Sequence, residues 1–330
     1  MQTYKTLLIT GIGGSGGSYF AEHILATQPR ITVHGIVRRN GERETSNLKT
    51  IRDAIHISEC DMNDVSALYF LLHSVKPDAI IHFASSAHVK TSFAMPLAVI
   101  QNNVMGTANL FEAIRMAGIQ PLIHLISTSE VYGQVDPLHI PITEDCPLNP
   151  SSPYAVSKVA QDLLGYAYAR SYDMKIIRTR MFSYLNPRRD DLFTGSFAKQ
   201  IARIETGLQK ELLHGNLDSI RTLIDFRDAM DAYWVATTHG RPGEVYNIGG
   251  NTVISVGEFL ETLRGMAHCP IPVRYDPSLK RPSDVTLQIP DTNKFRTETG
   301  WQARYTFQES IKYLLEYWRD RIHKEYAKKT

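Results

Sequence analysis

The chain has 330 residues, 43% of them hydrophobic, enough for one α/β unit with a second lobe around a sizeable core. Its 36 basic and 34 acidic residues leave a formal charge of +2 with no basic block, which argues against a nucleic-acid partner. Cys60, Cys146 and Cys269 lack metal-ligand or disulfide spacing, and there is no signal-peptide pattern or membrane-length apolar run, so a cytoplasmic enzyme without metal or membrane partner is expected.

From the amino terminus, strand-length apolar runs at 6–10, 31–37, 79–83, 122–127 and 175–180 alternate with helix-like stretches such as 19–26, 99–116 and 157–170. That alternation predicts βαβ units and an α/β fold, a Rossmann-like doubly wound parallel sheet. After Asn186-Pro187-Arg188-Arg189 it weakens into polar loops, arginines and short apolar runs. The division read from this is a dinucleotide-binding domain over 1–182, with a later return of the chain near 215–250, and a smaller carboxy-terminal substrate lobe made mainly of 183–330. Strand-like 243–248 is the segment expected back at the sheet edge.

The first strand runs into Gly11-Ile12-Gly13-Gly14-Ser15-Gly16-Gly17, with a helical stretch opening at Ser18. Gly11, Gly14 and Gly17 permit a tight turn and the close approach of a pyrophosphate, whose charge suits free amides at a helix start. The second strand ends Val37-Arg38-Arg39, where an NAD enzyme usually places an acid against the adenosine ribose. Two guanidiniums suit a 2′-phosphate instead, so NADP is expected, with NAD the alternative if Arg38 and Arg39 are only a solvated pair. Asp61 is read either as an acceptor for the adenine amine or as a turn cap.

Tyr154 and Lys158, four residues apart, share a helix face, and a nearby ammonium lowers the pKa of a phenol toward that of a usable base. The strand over 122–127 runs out into Ser127-Thr128-Ser129-Glu130-Val131-Tyr132-Gly133, hydroxyls and one carboxylate at a carboxyl strand end, where open α/β sheets bind ligands. His88, a single histidine near such a loop, reads as a packing residue and is left unassigned.

Through the glycine turn, the Tyr154/Lys158 pair, Asn103-Val104-Met105-Gly106-Thr107 and the segment from Ser127 to Gly133, the chain resembles the extended short-chain dehydrogenase/reductases over nearly its whole length. Further segments make it most similar to the GDP-mannose 4,6-dehydratases and their sister reductases of GDP-4-keto-6-deoxy sugars. They are Gly17-Ser18-Tyr19 with Val33-His34-Gly35 and Arg38-Arg39, Ala87-His88-Val89-Lys90-Thr91-Ser92-Phe93, Pro187-Arg188-Arg189, Gly215-Asn216-Leu217-Asp218-Ser219 and Arg281-Pro282-Ser283-Asp284-Val285. The resemblance implies that Thr128, Tyr154 and Lys158 are catalytic and that Glu130 is the extra acid/base of the dehydratases. It also implies that Arg188, Arg221 and Arg281 lie along a nucleotide diphosphate, with Asp284 where the family has a glutamate on the ribose. Ser183 stands where the family has an asparagine and Ala87 where it has a serine, so the sugar contacts differ. A homodimer or homotetramer is implied on the same ground.

The dehydratase reading has Tyr154 take the proton of the sugar 4-hydroxyl while C4 is oxidised, and Glu130 remove the C5 proton as water leaves C6 of a GDP-mannose or GDP-manno-heptose type of nucleotide sugar. An NADPH-dependent GDP-4-keto-6-deoxy-sugar reductase is the alternative, which Arg221-Thr222-Leu223-Ile224-Asp225 and Gly243-Glu244-Val245-Tyr246-Asn247 resemble more closely. A C4 oxidase or epimerase would not need Glu130, and a non-catalytic dinucleotide sensor would not need a lysine-assisted phenol.

Overall fold

The computed structural model describes residues 4–38, 46–279 and 285–327. Strand β1 (Thr6–Thr10) alternates between two cores: Leu7 and Ile9 pack with Phe20 and Ile24 of α1 (Ser15–Thr27), and Leu8 packs into a second cluster on the other face. A strand buried on both faces belongs inside a parallel sheet sheathed by helices. β2 (Thr32–Val37), β3 (His56–Glu59), β4 (Ala79–His82), β5 (Leu122–Thr128) and β6 (Ile176–Met181) extend it, every pairing parallel. Between β3 and β4 lies α2 (Val65–Val75), which puts Leu68 and Leu72 into the cluster of Leu8.

The expected helix over 99–116 is interrupted. After the short α3 (Val89–Ala94), the chain forms α4 (Pro96–Ile100), a π-helical turn (Gln101–Met105) and α5 (Gly106–Met116). The cause is Asn103, whose Oδ1 accepts the Ser86 N–H at 2.6 Å and whose Nδ2 donates to Ser157 Oγ at 2.9 Å. Widening the helix by one residue aims that amide at two other segments, a use typical of π turns. The helix expected from 157 begins earlier, as α6 (Pro153–Ser171), because Ser152 caps the Ala155 N–H at 3.1 Å and Pro153 is suited to a first helical position.

Beyond β6 the chain builds β7 (Tyr184–Leu185), α7 (Phe193–Glu205), β8 (Leu212–His214) and β9 (Ile220–Asp225), then returns beneath the main sheet as α8 (Phe226–His239). Ala229, Met230 and Tyr233 of α8 join the cluster of Leu7 and Ile9, and β10 (Val245–Ile248) pairs with β6 as the sheet edge. The seven strands run β10-β6-β5-β4-β1-β2-β3, so the order reverses between β1 and β4. There, outside the carboxyl ends of the strands, such sheets open a crevice.

β11 (Thr252–Ser255), α9 (Val256–Gly265), β12 (Val273–Tyr275), β13 (Leu287–Gln288), α10 (Asn293–Thr299) and α11 (Phe307–Ala327) complete the chain. β9 is the hub of a smaller sheet, flanked by β11, β13 and β7, while β8 and β12 form a separate pair. A second core of Phe197, Leu212, Phe259, Leu315 and Trp318 holds α7, α9 and α11 together. Among the described residues no helix is long and apolar enough to cross a membrane, and no group of three His, Cys, Asp or Glu is placed to hold a metal ion.

Candidate active site

The glycine turn sits at the β1/β4 reversal. Gly11 has φ +67°, and a Cβ there would stand 2.8 Å from Ala84 Cα, so the turn is pressed against the chain leaving β4. At Gly17 a Cβ would lie 2.4 Å from the Gly11 carbonyl oxygen, whereas at Gly14 the nearest contact is a milder 3.2 Å. Helix α1 starts at Ser15, earlier than expected, with no side-chain cap at Gly14 and no acid in its first turn. Its leading amides, in a cradle that side chains would fill, suit a dinucleotide pyrophosphate. Asn47, which sequence reasoning missed, braces the turn by donating to the Gly13 carbonyl at 2.9 Å.

Arg38 follows the last residue of β2 and is exposed, while Arg39 lies outside the described residues. Asp61 is engaged as a turn cap, its Oδ1 accepting the Asn63 N–H at 2.9 Å and the Asn63 side-chain amide at 3.1 Å.

Helix α6 presents Tyr154, Lys158 and Asp162 one turn apart, all buried. Burial pushes the Tyr154 phenol up to about 12, against the pull of the Arg189 guanidinium and a hydrogen bond to Thr128, while the Glu130 carboxylate adds to the rise. The expected net lowering by Lys158 is therefore corrected: desolvation outweighs the charges that favour a phenolate. The Lys158 ammonium donates to the Ile126 carbonyl at 2.6 Å, and burial lowers it to about 8 against the opposing charge of Asp162. Thr128 and Glu130, from the end of β5 and the turn after it, thus meet the phenol from α6 as the sequence suggested.

A polar chain ties this helix to the cofactor side of the sheet. His82 bridges Thr10 Oγ1 at 2.7 Å and Thr107 Oγ1 at 2.9 Å, and Thr107 donates to the Asn103 carbonyl at 2.7 Å. Asn103 in turn holds Ser157, whose hydroxyl donates to the Tyr154 carbonyl at 2.7 Å.

The segment after β6 sends its two adjacent arginines to different places. Arg188 stacks on Tyr19 at 3.8 Å and donates to Ser18 Oγ and Glu22 Oε1, each at 2.7 Å, so it is attached to α1 and not brought to Tyr154. Its neighbour Arg189 occupies that place: its guanidinium grips Asp191 through two 2.6 Å bonds, donates to the Ala87 carbonyl at 3.3 Å, and acts on both Tyr154 and Tyr184. Asn186 to Arg189 form a turn, closed by the Arg189 N–H on the Asn186 carbonyl at 3.1 Å, and which of its two arginines turns inward is set by partners far along the chain, Ser18 and Glu22 for Arg188 and Ala87 for Arg189. Ser183 is half-buried, its carbonyl accepting the Ile224 N–H at 3.2 Å. Tyr184, also missed, takes a hydrogen bond from Asn186 at 3.1 Å, and its hydroxyl lies 3.3 Å from where a Cβ of Gly16 would stand.

Arg221 on β9 is buried and donates to the Ile220 carbonyl at 2.9 Å and to the Val285 carbonyl. Arg281 and Asp284 lie outside the described residues. His88 caps α3 by accepting the Thr91 N–H at 3.1 Å, with its Nε2 3.6 Å from Asp191.

A family model described as GDP-mannose 4,6 dehydratase matches residues 8–314. The chain is 32% identical to the GDP-6-deoxy-D-mannose reductase of Pseudomonas aeruginosa, over 76% of this chain and 83% of the relative. It is 31% identical to a GDP-mannose 4,6-dehydratase of Vibrio cholerae, over 92% of this chain and 91% of the relative. Among solved structures, RMD from Pseudomonas aeruginosa complexed with NADPH is similar at a TM-score of 0.83 and 27% identity, covering 96% of this chain and 99% of that one. The dTDP-glucose 4,6-dehydratase DesIV of Streptomyces venezuelae, with NAD and TYD bound, is similar at 0.82 and 27% identity, covering 96% and 97%.

Proposed function

The chain belongs to the GDP-mannose 4,6 dehydratase family, and on that premise we propose that it converts a GDP-sugar of the GDP-mannose or GDP-manno-heptose type to its 4-keto-6-deoxy form. The observation that carries this reading is the Glu130 carboxylate acting on the same phenol, Tyr154, that Thr128 hydrogen-bonds. Reduction of a ketone needs only hydroxyl, phenol and lysine, whereas elimination also needs a group to take the proton from C5.

Tyr154, assisted by Lys158 and Arg189, takes the proton of the sugar 4-hydroxyl, and Thr128 orients that hydroxyl. Bound NADP supplies the hydride acceptor for C4 and the hydride donor for C6. The C4 ketone acidifies the C5 hydrogen, Glu130 removes that proton, and the proton leaves with the C6 hydroxyl as water; once C6 has its hydride, C5 takes up one proton, which balances the one Tyr154 received from the 4-hydroxyl and returns to solvent. The sum is loss of one water with no net redox change.

NADP is the assigned cofactor because Arg38 and Arg39 follow β2 and because RMD, 27% identical, is complexed with NADPH. NAD is the second candidate, on the dehydratase from Streptomyces venezuelae. Gly11, Gly14 and Gly17 are assigned to the pyrophosphate, and Asp61, whose Oδ1 caps its turn, to the adenine amine through its other oxygen. Ser183, Arg188, Arg221, Arg281 and Asp284 are assigned to the nucleotide sugar, with Arg189 added at the reacting end. In this assignment the seven-stranded half carries the cofactor and the smaller sheet the GDP-sugar, in the cytoplasm. A homodimer or homotetramer fits the exposed apolar side chains Leu97 and Ile100 on α4 and Val156, Leu163 and Tyr166 on α6.

Incubation with GDP-mannose and catalytic NADP+ tests the reading: mass spectrometry is expected to find a product lighter by one water with no net NADPH. An unchanged GDP-mannose pool rejects that substrate. The reductase reading, favoured by 32% identity to the enzyme of Pseudomonas aeruginosa, is selected if a GDP-4-keto-6-deoxy sugar instead consumes NADPH.

A further inference from the structure

We propose that Tyr132 is a positioning residue for the proton step at C5: its phenol ties the turn carrying Glu130, through Arg180 and Asp162, to the helix carrying Tyr154 and Lys158. The proposal rests on the dehydratase reading, because only that reaction makes Glu130 and Tyr154 serve adjacent carbons of one sugar.

Glu130 sits inside the four-residue 3-10 turn Ser129–Tyr132, so its place is set by the residues on either side of it. At one end Ser129 Oγ donates to Gln288 Oε1 of β13 at 3.1 Å. At the other, Gly133 has φ +60° and a Cβ there would stand 1.7 Å from the Asn149 carbonyl oxygen, while the Val131 carbonyl accepts the Asn149 N–H at 3.1 Å. Tyr132 itself is fully buried; its hydroxyl donates to Asn247 Oδ1 at 2.7 Å and accepts from Arg180 Nη1 at 2.9 Å.

The same guanidinium holds Asp162, with Nε to Oδ2 at 2.9 Å and Nη2 to Oδ1 at 3.1 Å, and Arg178 Nη1 adds a third bond to Oδ1 at 2.9 Å. Asp162 is one helical turn past Lys158 and two past Tyr154. Tyr132, Arg180 and Asp162 therefore form a dry strut between the two segments that deliver the proposed acid/base groups. Arg180 is braced from a third side by the Glu144 carbonyl at 2.9 Å.

Stability alone is a weak reason for such a strut. Burying two guanidiniums around one carboxylate carries a desolvation cost that apolar side chains of equal volume avoid. What a fully paired network provides is a single relative geometry, and a misplacement of about 1 Å at a reacting group lowers rates by up to ~10²-fold.

The test is Tyr132→Phe, which keeps the ring and removes the hydroxyl. Arg180 keeps its bonds to Asp162 and Glu144, so α6 stays in place while the turn loses its tie. In NADP-loaded enzyme mixed with GDP-mannose, C4 oxidation, read from the reduced-nicotinamide absorbance, is expected to stay within about threefold of wild type. Water elimination and deuterium wash-in at C5 fall by roughly 10- to 100-fold, so reduced cofactor builds up in the variant and not in wild type. Ser129→Ala, which frees the opposite end of the turn, gives the same split at smaller size and serves if Tyr132→Phe does not fold. Wild type that turns over GDP-mannose while both variants slow the two steps alike, or slow neither, overturns the proposal. Wild type that makes no dehydrated product from either GDP-mannose or a GDP-manno-heptose overturns the dehydratase reading, and the proposal falls with it.

Discussion

Burial and charge pull Tyr154 in opposite directions, and in the protein alone burial prevails, holding the phenol near 12. As the proposed base, a phenol so reluctant to ionise depends on the cations and hydroxyl around it, so Tyr154→Phe is expected to lower turnover on the order of 10³-fold, with melting temperature little changed. Lys158 presents the opposite case, a buried ammonium lowered from 10.5 to about 8. Below pH 8 both folded and unfolded chains hold its proton, so the full penalty for burying the charge is present at neutral pH. Between pH 8 and 10.5 only the unfolded chain still holds it, so the penalty fades as pH rises. Lys158→Met is therefore expected to inactivate the enzyme yet stabilise it by about 2 kcal/mol at pH 7, an advantage that shrinks above pH 8 in denaturant titrations.

At the scale of elements, the glycine turn shows how unequal three similar residues are. Gly17 has no room for a methyl against the Gly11 carbonyl, whereas Gly14 has nearly enough. Gly17→Ala is expected to cost about 3 kcal/mol and to weaken NADP binding as α1 shifts, while Gly14→Ala costs under about 1 kcal/mol; thermal melts with and without NADP check both. The pairing of the turn with β1 and α1 was legible because glycine runs and strand periodicity are local. The π turn at Asn103 was not, because its cause is a pair of hydrogen bonds to Ser86 and Ser157, the latter 54 positions away.

Over the whole molecule, two histidines inside the main sheet link stability to pH. Burial holds His82 and His124 near 3, so each stays neutral in the fold. Above pH 6.5 neither folded nor unfolded chain protonates them and their full contribution is present. As pH falls from 6.5 toward 3 the unfolded chain gains both protons, and stability is lost at roughly 1.4 kcal/mol per pH unit for each histidine. His124→Gln should remove one proton from that slope in urea titrations across pH 6 to 4, whatever its effect at pH 7. The exposed stripe of Val156, Leu163 and Tyr166 on α6 belongs to the same scale. Leu163→Glu is expected to convert the proposed oligomer to a monomer in light scattering, and an unchanged mass would move the interface elsewhere.

The sequence by itself determined what depends on neighbours along the chain: the strands of the parallel sheet, the glycine turn between β1 and α1, and Tyr154 with Lys158 on one face of α6. Its motifs also determined the family. Only the tertiary structure decided that Arg189 and not Arg188 turns toward Tyr154, and that Tyr132, Arg180 and Asp162 join the turn of Glu130 to α6. Those outcomes rest on partners tens of residues apart, whose meeting follows from how strands are ordered and which face each side chain takes, and no local period encodes that.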